Sequence, residues 1–281
     1  MIELTEEDRA KIQRIELGML AEFDRVCRAN DIPYSIIGGS LLGAVRHKGF
    51  IPWDDDIDVA LLRADYERFK QVARQLDPAI CHFQDHSTEP AYIWGYGKLR
   101  AANTEFVRIG QEHLTFSTGL PIDVFPLDDV PDSTVGQMWC DFRFFCLRKI
   151  LYAQVGKVEP NAHGAQRRLY CALSHISPEW AFKRLGRIAQ RSLDHPTSHV
   201  RVVTFASFGK YFRKHNKLPL SQRYAMPKLW FTELDNFPFE NITVLGSRHF
   251  DAYLTFSYGD YLTLPPKEKR VGHHFVSHIK L

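Results

Sequence analysis

The sequence predicts an α+β fold, with a mixed sheet, flanking helices and a mainly helical, basic insertion. Three observations carry this. Helical and extended patterns alternate up to about residue 130, which argues for helices packed on a sheet. From Pro131 to about residue 193 the pattern turns helical. Extended segments separated by a turn return after Pro227. We therefore expect residues 1–130 to form a catalytic core, 131–225 a helical basic region, and 226–281 strands and a short helix that complete the core.

The elements follow in order. Residues 5–29 read as a helix: Thr5 with Asp8 forms a capping box, and Ile12, Ile15, Met19, Leu20, Phe23, Val26 and Cys27 recur at helical spacing. Tyr34-Ser35-Ile36-Ile37 is a short strand that runs into Gly38-Gly39-Ser40, and Leu41 to Arg46 suits a brief helix. Asp56 to Leu62 is the next strand, and residues 64–76 an amphipathic helix. Strands are expected around 80–84, 97–100, 104–107 and 120–125, the last closed by Pro126. Pro227 to Leu245 reads as strands with a turn near Asn236 and Pro238, and 248–256 as a short helix. The histidines of His273-His274-Phe275-Val276-Ser277-His278 read as a polar tail, because no carboxylate or cysteine partner stands at a zinc-like spacing.

Composition narrows the function classes. With 281 residues, 44% hydrophobic and 25% charged, the chain is ordinary globular material. No apolar run approaches a membrane span, and the acidic start lacks the pattern of a signal peptide. The five cysteines are scattered without a CxxC pair, which points to a reducing compartment, and we expect the protein to be cytoplasmic. Net charge is only +3, but residues 141–230 hold 17 Lys and Arg against 4 Asp and Glu. The acidic flanks suit a metal and the basic middle an anion. No nucleic-acid motif accompanies the basic residues, so no nucleic-acid partner is expected.

The most informative stretch runs from Ile37 to Val59: IGGSLLGAVRHKGFIPWDDDIDV. Its first part is a strand, a glycine turn and a helix start. Glycines let the backbone approach a phosphate, and free N–H groups with the helix dipole favour an anion near Gly38, Gly39 and Ser40. Its second part sets Asp56 and Asp58 on one strand face, because side chains alternate. Two carboxylates facing the same way repel unless a cation lies between them, and Mg²⁺ (or Mn²⁺) suits such oxygen ligands. Asp54 has the same parity. A solvated turn would explain an isolated DxD, but not this acidic pair on an apolar strand behind a phosphate cradle.

The stretch resembles the signature of the LicD family, the phosphocholine transferases of bacterial surface glycans, which is related to the fukutin group. Further marks follow in order: Lys98-Leu99-Arg100, Ile122-Asp123-Val124-Phe125-Pro126-Leu127-Asp128, Tyr258-Gly259-Asp260-Tyr261 and Leu264-Pro265-Pro266. In residues 134–225 we recognise no further mark of the family. The resemblance implies a nucleotidyltransferase-like core in which Gly39-Ser40 is the turn, Asp56 and Asp58 are the paired acids, and Asp123 is a third acid serving as metal ligand or proton acceptor. It also implies a CDP-choline or related CDP-alcohol donor and a hydroxyl acceptor on a cell-surface glycan, lipopolysaccharide or teichoic-acid precursor.

Arg46, Lys48, Lys98 and Arg100 are candidate phosphate clamps. Trp53, Trp94 and Tyr96 are candidates for holding a quaternary ammonium by cation–π attraction, against the plainer reading that they are core aromatics. A basic, aromatic-studded lobe would also suit peripheral contact with the anionic inner face of a membrane, where lipid-linked acceptors reside. Three other readings compete. A DxD glycosyltransferase would use a nucleotide sugar, ordinary nucleotidyl transfer would release pyrophosphate from the same site, and a non-catalytic protein would bind only an anion or a membrane.

Overall fold

The structure is a computed structural model that describes residues 4–159, 162–202, 224–270, 272 and 276–281. Helix α1 (Glu6–Ala29) opens with the expected capping box: Asp8 N–H donates to Thr5 Oγ1 at 3.1 Å, and Thr5 N–H donates to Asp8 Oδ2 at 3.0 Å. Its apolar stripe, Ile12, Met19, Leu20, Phe23, Val26 and Cys27, is fully buried. Then come β1 (Ser35–Ile36), α2 (Gly38–His47), β2 (Asp58–Leu62), α3 (Arg63–Val72), β3 (Cys81–Gln84), β4 (Gly97–Ala101), β5 (Glu105–Arg108) and β6 (Pro121–Val130). The helical section is α4 (Thr134–Gly156), α5 (Gly164–Leu173) and α6 (Pro178–Asp194). The chain returns through β7 (His199–Val202), β8 (Met226–Pro227), β9 (Leu234–Phe239), β10 (Ile242–Ser247), α7 (Phe250–Tyr258) and β11 (Val276–Lys280).

Among the described residues, nine strands form one mixed sheet with the order β3-β4-β6-β2-β1-β10-β9, and β7 and β8 extend it beside β6. Pairing of β2 with β6 and of β1 with β10 is parallel, and the other pairs in this sheet are antiparallel. Strands from before and after the helical section thus share one sheet. A mixed sheet flanked by helices is the α+β class that the sequence predicts. Two buried ion pairs fasten the layers. Arg63 at the start of α3 grips Asp128 of β6 through two bonds of 2.7 and 2.8 Å, and Arg201 of β7 holds Asp141 of α4 at 2.8 Å. Among the described residues, no helix is long and apolar enough to cross a membrane.

Several expectations need correction. Pro126 does not close β6, which runs on to Val130. Asp123 N–H donates towards β2, so by alternation the nitrogen of Pro126 faces the other side. On that side β4 pairs with residues 121–124 and β7 with 127–130, so the proline falls in the gap where no ladder bond needs its missing N–H. The turn in the late strands is at Glu240-Asn241, with Glu240 at φ 54°, rather than near Asn236 and Pro238. Those two residues belong to β9, an edge strand that tolerates proline. His278 is not in a loose tail: β11 pairs with β5, and His278 Nε2 lies 2.7 Å from Glu105 Oε2. His273 and His274 lie outside the described residues.

Candidate active site

The glycine turn forms the start of α2 directly. Ile37 stands at the N-cap in an extended conformation, and its own side chain makes no capping hydrogen bond. Gly38 has φ +58°, a left-handed conformation that side chains resist, and a Cβ there would lie 3.2 Å from Asp58 Oδ2. A Cβ on Gly39 would lie 2.5 Å from Asp54 Oδ2. The glycines are therefore needed for a purpose beyond phosphate approach: they let two carboxylates come right up to the helix start. Gly38 N–H donates to the Tyr253 hydroxyl at 2.9 Å. Ser40 is buried, and its Oγ accepts from Asp58 N–H at 2.9 Å, which locks the turn to the first residue of β2.

Strand β2 begins at Asp58, so Asp56 precedes the regular strand. Even so, Asp54, Asp56 and Asp58 all line one cavity of about 660 Å³. Gly39, Leu42 and Arg46 line it along one face of α2, and Tyr258, Asp260 and Leu264 line it as well. The acidic loop is held from both sides: Asp54 N–H donates to Ile51 O at 2.8 Å, and Gln13 Nε2 of α1 donates to Asp54 O at 2.9 Å. Carboxylate oxygens of Asp54, Asp55 and Asp56 lie within 4.8 Å of one another.

Electrostatics fits a cation here. Burial, then the charge of Asp55, pushes Asp54 up to about 6. Burial, then the charges of Asp56 and Asp123, pushes Asp58 well above the ordinary carboxylate range. A divalent ion would relieve this mutual repulsion, and an all-oxygen donor set suits Mg²⁺. Asp54, Asp55, Asp56 and Asp58 are the residues that would hold it.

Asp123 is drawn the other way. It sits opposite Asp58 in the parallel β2–β6 register and opposite Lys98 in the β6–β4 register. Asp58, Asp123, Lys98 and Gln84 thus form a row across four strands on one sheet face. Lys98 is buried and bonded to Asp123. Burial works to raise the Asp123 pKa, but Lys98, with Arg108 and Arg100 behind it, outweighs this and keeps the carboxylate low. Burial brings Lys98 itself down to about 8, against the pull of Asp123.

The remaining cations part company. Arg46 lines the acidic cavity and donates to Tyr261 O at 2.8 Å. Lys48 is exposed, with φ 63°, just past the C-terminal end of α2, and does not line the cavity. A ten-residue helix spans roughly 15 Å, so the C-terminal end is remote from the glycine turn. Lys98 and Arg100 line a second cavity of about 390 Å³ together with Trp94, Tyr96, Arg108 and Tyr152. Trp53 lines the acidic cavity, with the Arg270 guanidinium 5.4 Å from its ring centre.

Sequence reasoning missed two groups. Glu16 of α1 is fully buried, and among the described residues neither carboxylate oxygen has a hydrogen-bond partner. Burial first, then the charges of Asp56, Asp55, Asp54 and Asp58, raises its pKa well above the ordinary range. The signal was an acid standing among Ile12, Met19 and Leu20 on the apolar stripe. Arg108 was also missed, because an arginine at the end of a short strand carries no local signal.

Comparison with known proteins bears on the family. Residues 31–159 match the family model described as LicD/FKTN/FKRP, nucleotidyltransferase domain. The lipopolysaccharide cholinephosphotransferase LicD of Haemophilus influenzae is 28% identical over 93% of this chain and 94% of its own length. The ribitol 5-phosphate transferase FKRP of Homo sapiens is 27% identical over 42% of this chain and 21% of its own. These matches bear out the LicD resemblance and its link to the fukutin group, and they support reading the chain as a transferase.

Proposed function

We propose that the protein is a metal-dependent transferase that moves phosphocholine, or a related phospho-alcohol, from a CDP-activated donor to a hydroxyl of a cell-surface glycan. The observation that carries this reading is the convergence of Asp54, Asp56, Asp58, the α2 N-terminus and Arg46 on one cavity. Near-full-length similarity to a cholinephosphotransferase supports the cargo. Mg²⁺ (or Mn²⁺) held by the carboxylates would neutralise donor phosphate charge and favour departure of CMP. The N-terminal end of α2, with its positive dipole end on the cavity at Gly39, would favour the donor's diphosphate, and Arg46 adds a positive charge. Ser40 fixes the turn through Asp58 rather than by lining the cavity. For the ammonium of choline, half-exposed Tyr258 is better placed than Trp53, whose ring already faces Arg270.

In the reaction, the acceptor oxygen bonds to the phosphorus that bears the alcohol. The bond from that phosphorus to the CMP oxygen breaks, and CMP leaves with the bonding pair. Asp123 orients the acceptor hydroxyl and takes its proton. A low pKa suffices because such transition states are loose and make little demand on a base. The test is to offer a panel of CDP-alcohols and nucleotide sugars with and without Mg²⁺ and to measure nucleotide release. CMP release from a CDP-alcohol, dependent on Mg²⁺ and lost in a folded Asp58→Asn protein, is expected. Turnover of UDP- or GDP-sugars alone would replace this reading with a glycosyltransferase.

A further inference from the structure

We propose that the second cavity is the acceptor subsite, and that it selects a sugar bearing an anionic group, such as a phosphate, near the hydroxyl to be modified. This rests on the transferase reading above. The two cavities flank the same row of the sheet but have opposite charge. The first is lined by Asp54, Asp56, Asp58 and Asp260 against Arg46. The second is lined by Lys98, Arg100 and Arg108 against Glu159. Nucleotide phosphates with their metal, and a choline ammonium, suit the first. The second would repel an ammonium and attract an anion.

The charges of the second cavity are only partly answered within the chain. Lys98 is paired with Asp123, and Glu159 accepts the Tyr152 hydroxyl at 2.7 Å. Buried Arg100 donates to two neutral oxygens, Gln84 Oε1 at 2.7 Å and Gly119 O at 2.8 Å. Among the described residues, neither Arg100 nor Arg108 has an ion-pair partner. Three cations here share the one carboxylate of Asp123, with Glu159 also in the wall, so positive charge is in excess, and a planar guanidinium matches a phosphate or carboxylate through paired bonds. At about 390 Å³ the space is at the small end of ligand sites, the scale of one sugar unit. Trp94, Tyr96 and Tyr152 supply flat aromatic walls for a sugar ring.

Position relative to the chemistry supports the same assignment. Lys98 lies in this cavity's wall and bonds Asp123, whose other strand neighbour is Asp58 of the acidic cavity. A sugar anchored by Arg108 would therefore present its hydroxyl towards Asp123, which stands between Lys98 and Asp58 in the strand register, with the donor phosphorus arriving from the side of Asp58. An in-line transfer requires that arrangement.

The experiment titrates the full chain calorimetrically with a hexose 6-phosphate, the same uncharged hexose and inorganic phosphate, and separately with CDP-choline and Mg²⁺. Hexose phosphate is expected to bind at least ten-fold tighter than either the hexose or phosphate alone, with CDP-choline already bound. Arg108→Gln should remove that preference and Arg108→Lys should keep part of it. Lys11→Gln, an exposed charge on α1, should leave it intact. Equal binding of hexose and hexose phosphate, an unchanged preference in Arg108→Gln, or competition between hexose phosphate and CDP-choline would overturn the assignment. Phosphate binding as tightly as the hexose phosphate would reduce the site to an anion hole and overturn its sugar part. If CDP-choline binds and hexose phosphate does not, this subsite alone fails; if no CDP-alcohol binds, the donor reading fails independently.

Discussion

Gly39→Ala adds one methyl group at the point where helix start and acids meet. Its Cβ would lie 2.5 Å from Asp54 Oδ2, about 0.9 Å short of ordinary contact at 3.4 Å. The Asp54 backbone cannot retreat, because the residue is buried, its N–H is bonded to Ile51 and its carbonyl to Gln13, so the side chain has to give. The carboxylate must therefore shift by close to an ångström relative to Asp56. Overpacking of this kind costs about 1–3 kcal/mol. Mg²⁺ demands near-ideal octahedral geometry, and a misplacement of about 1 Å at a reacting centre costs on the order of 100-fold in rate. We expect Gly39→Ala to remain folded, with a modestly lower melting temperature, a raised Mg²⁺ requirement and roughly 100-fold slower transfer. Gly186→Ala is the control: it lies within α6 with nothing within 4 Å of its Cβ, so it should be neutral or stabilise by up to about 1 kcal/mol. Wild-type activity and Mg²⁺ dependence in Gly39→Ala would refute the view that the glycines exist to admit the acids.

Other perturbations separate structure from chemistry. Arg63→Ala strands Asp128 in the core and should cost about 3–5 kcal/mol in denaturant unfolding, most of it recovered in Arg63→Met with Asp128→Leu. Glu16 has its folded pKa raised above 4.5, so between 4.5 and that higher value the folded state holds more protons and stability falls as pH rises. Glu16→Gln should therefore gain melting temperature over wild type as metal-free buffer is taken from about pH 4.5 to neutral; a gap independent of pH would contradict this. Arg46→Ala should weaken CDP-choline binding, with the loss read by titration in Mg²⁺. Lys183, Arg184 and Arg187 are exposed on α6, and Arg184 lies 5.0 Å from the ring centre of exposed Trp180. Reversing all three to Glu should abolish salt-sensitive binding to anionic vesicles; equal partitioning of wild type to anionic and neutral vesicles would leave this face as solvated surface.

Much of the fold was legible because its signals are local. Thr5 and Asp8 fix where α1 begins, and the apolar stripe fixes which face it buries. The misread places are those where a neighbour in space decided the outcome. Pro126 looked like a strand end, and only the change of partner from β4 to β7 shows why the strand continues. His278 looked like tail, and only its pairing partner β5 makes it part of a strand.

The same division runs through the site. The sequence by itself determined the glycine turn, the run of aspartates and the later motif acid, because their chemistry depends on residue type and short spacing. It could not decide how the cations are shared. Lys98 and Arg100 are as basic as Arg46, but strand register sets them beside Asp123 and in a different cavity from the helix start. Nor could it show that Glu16 and Arg108, distant in the chain, face these acids. Register and helix packing are long-range properties, and they decide which charges meet at short range, where the Coulomb interaction is strong enough to shift a pKa.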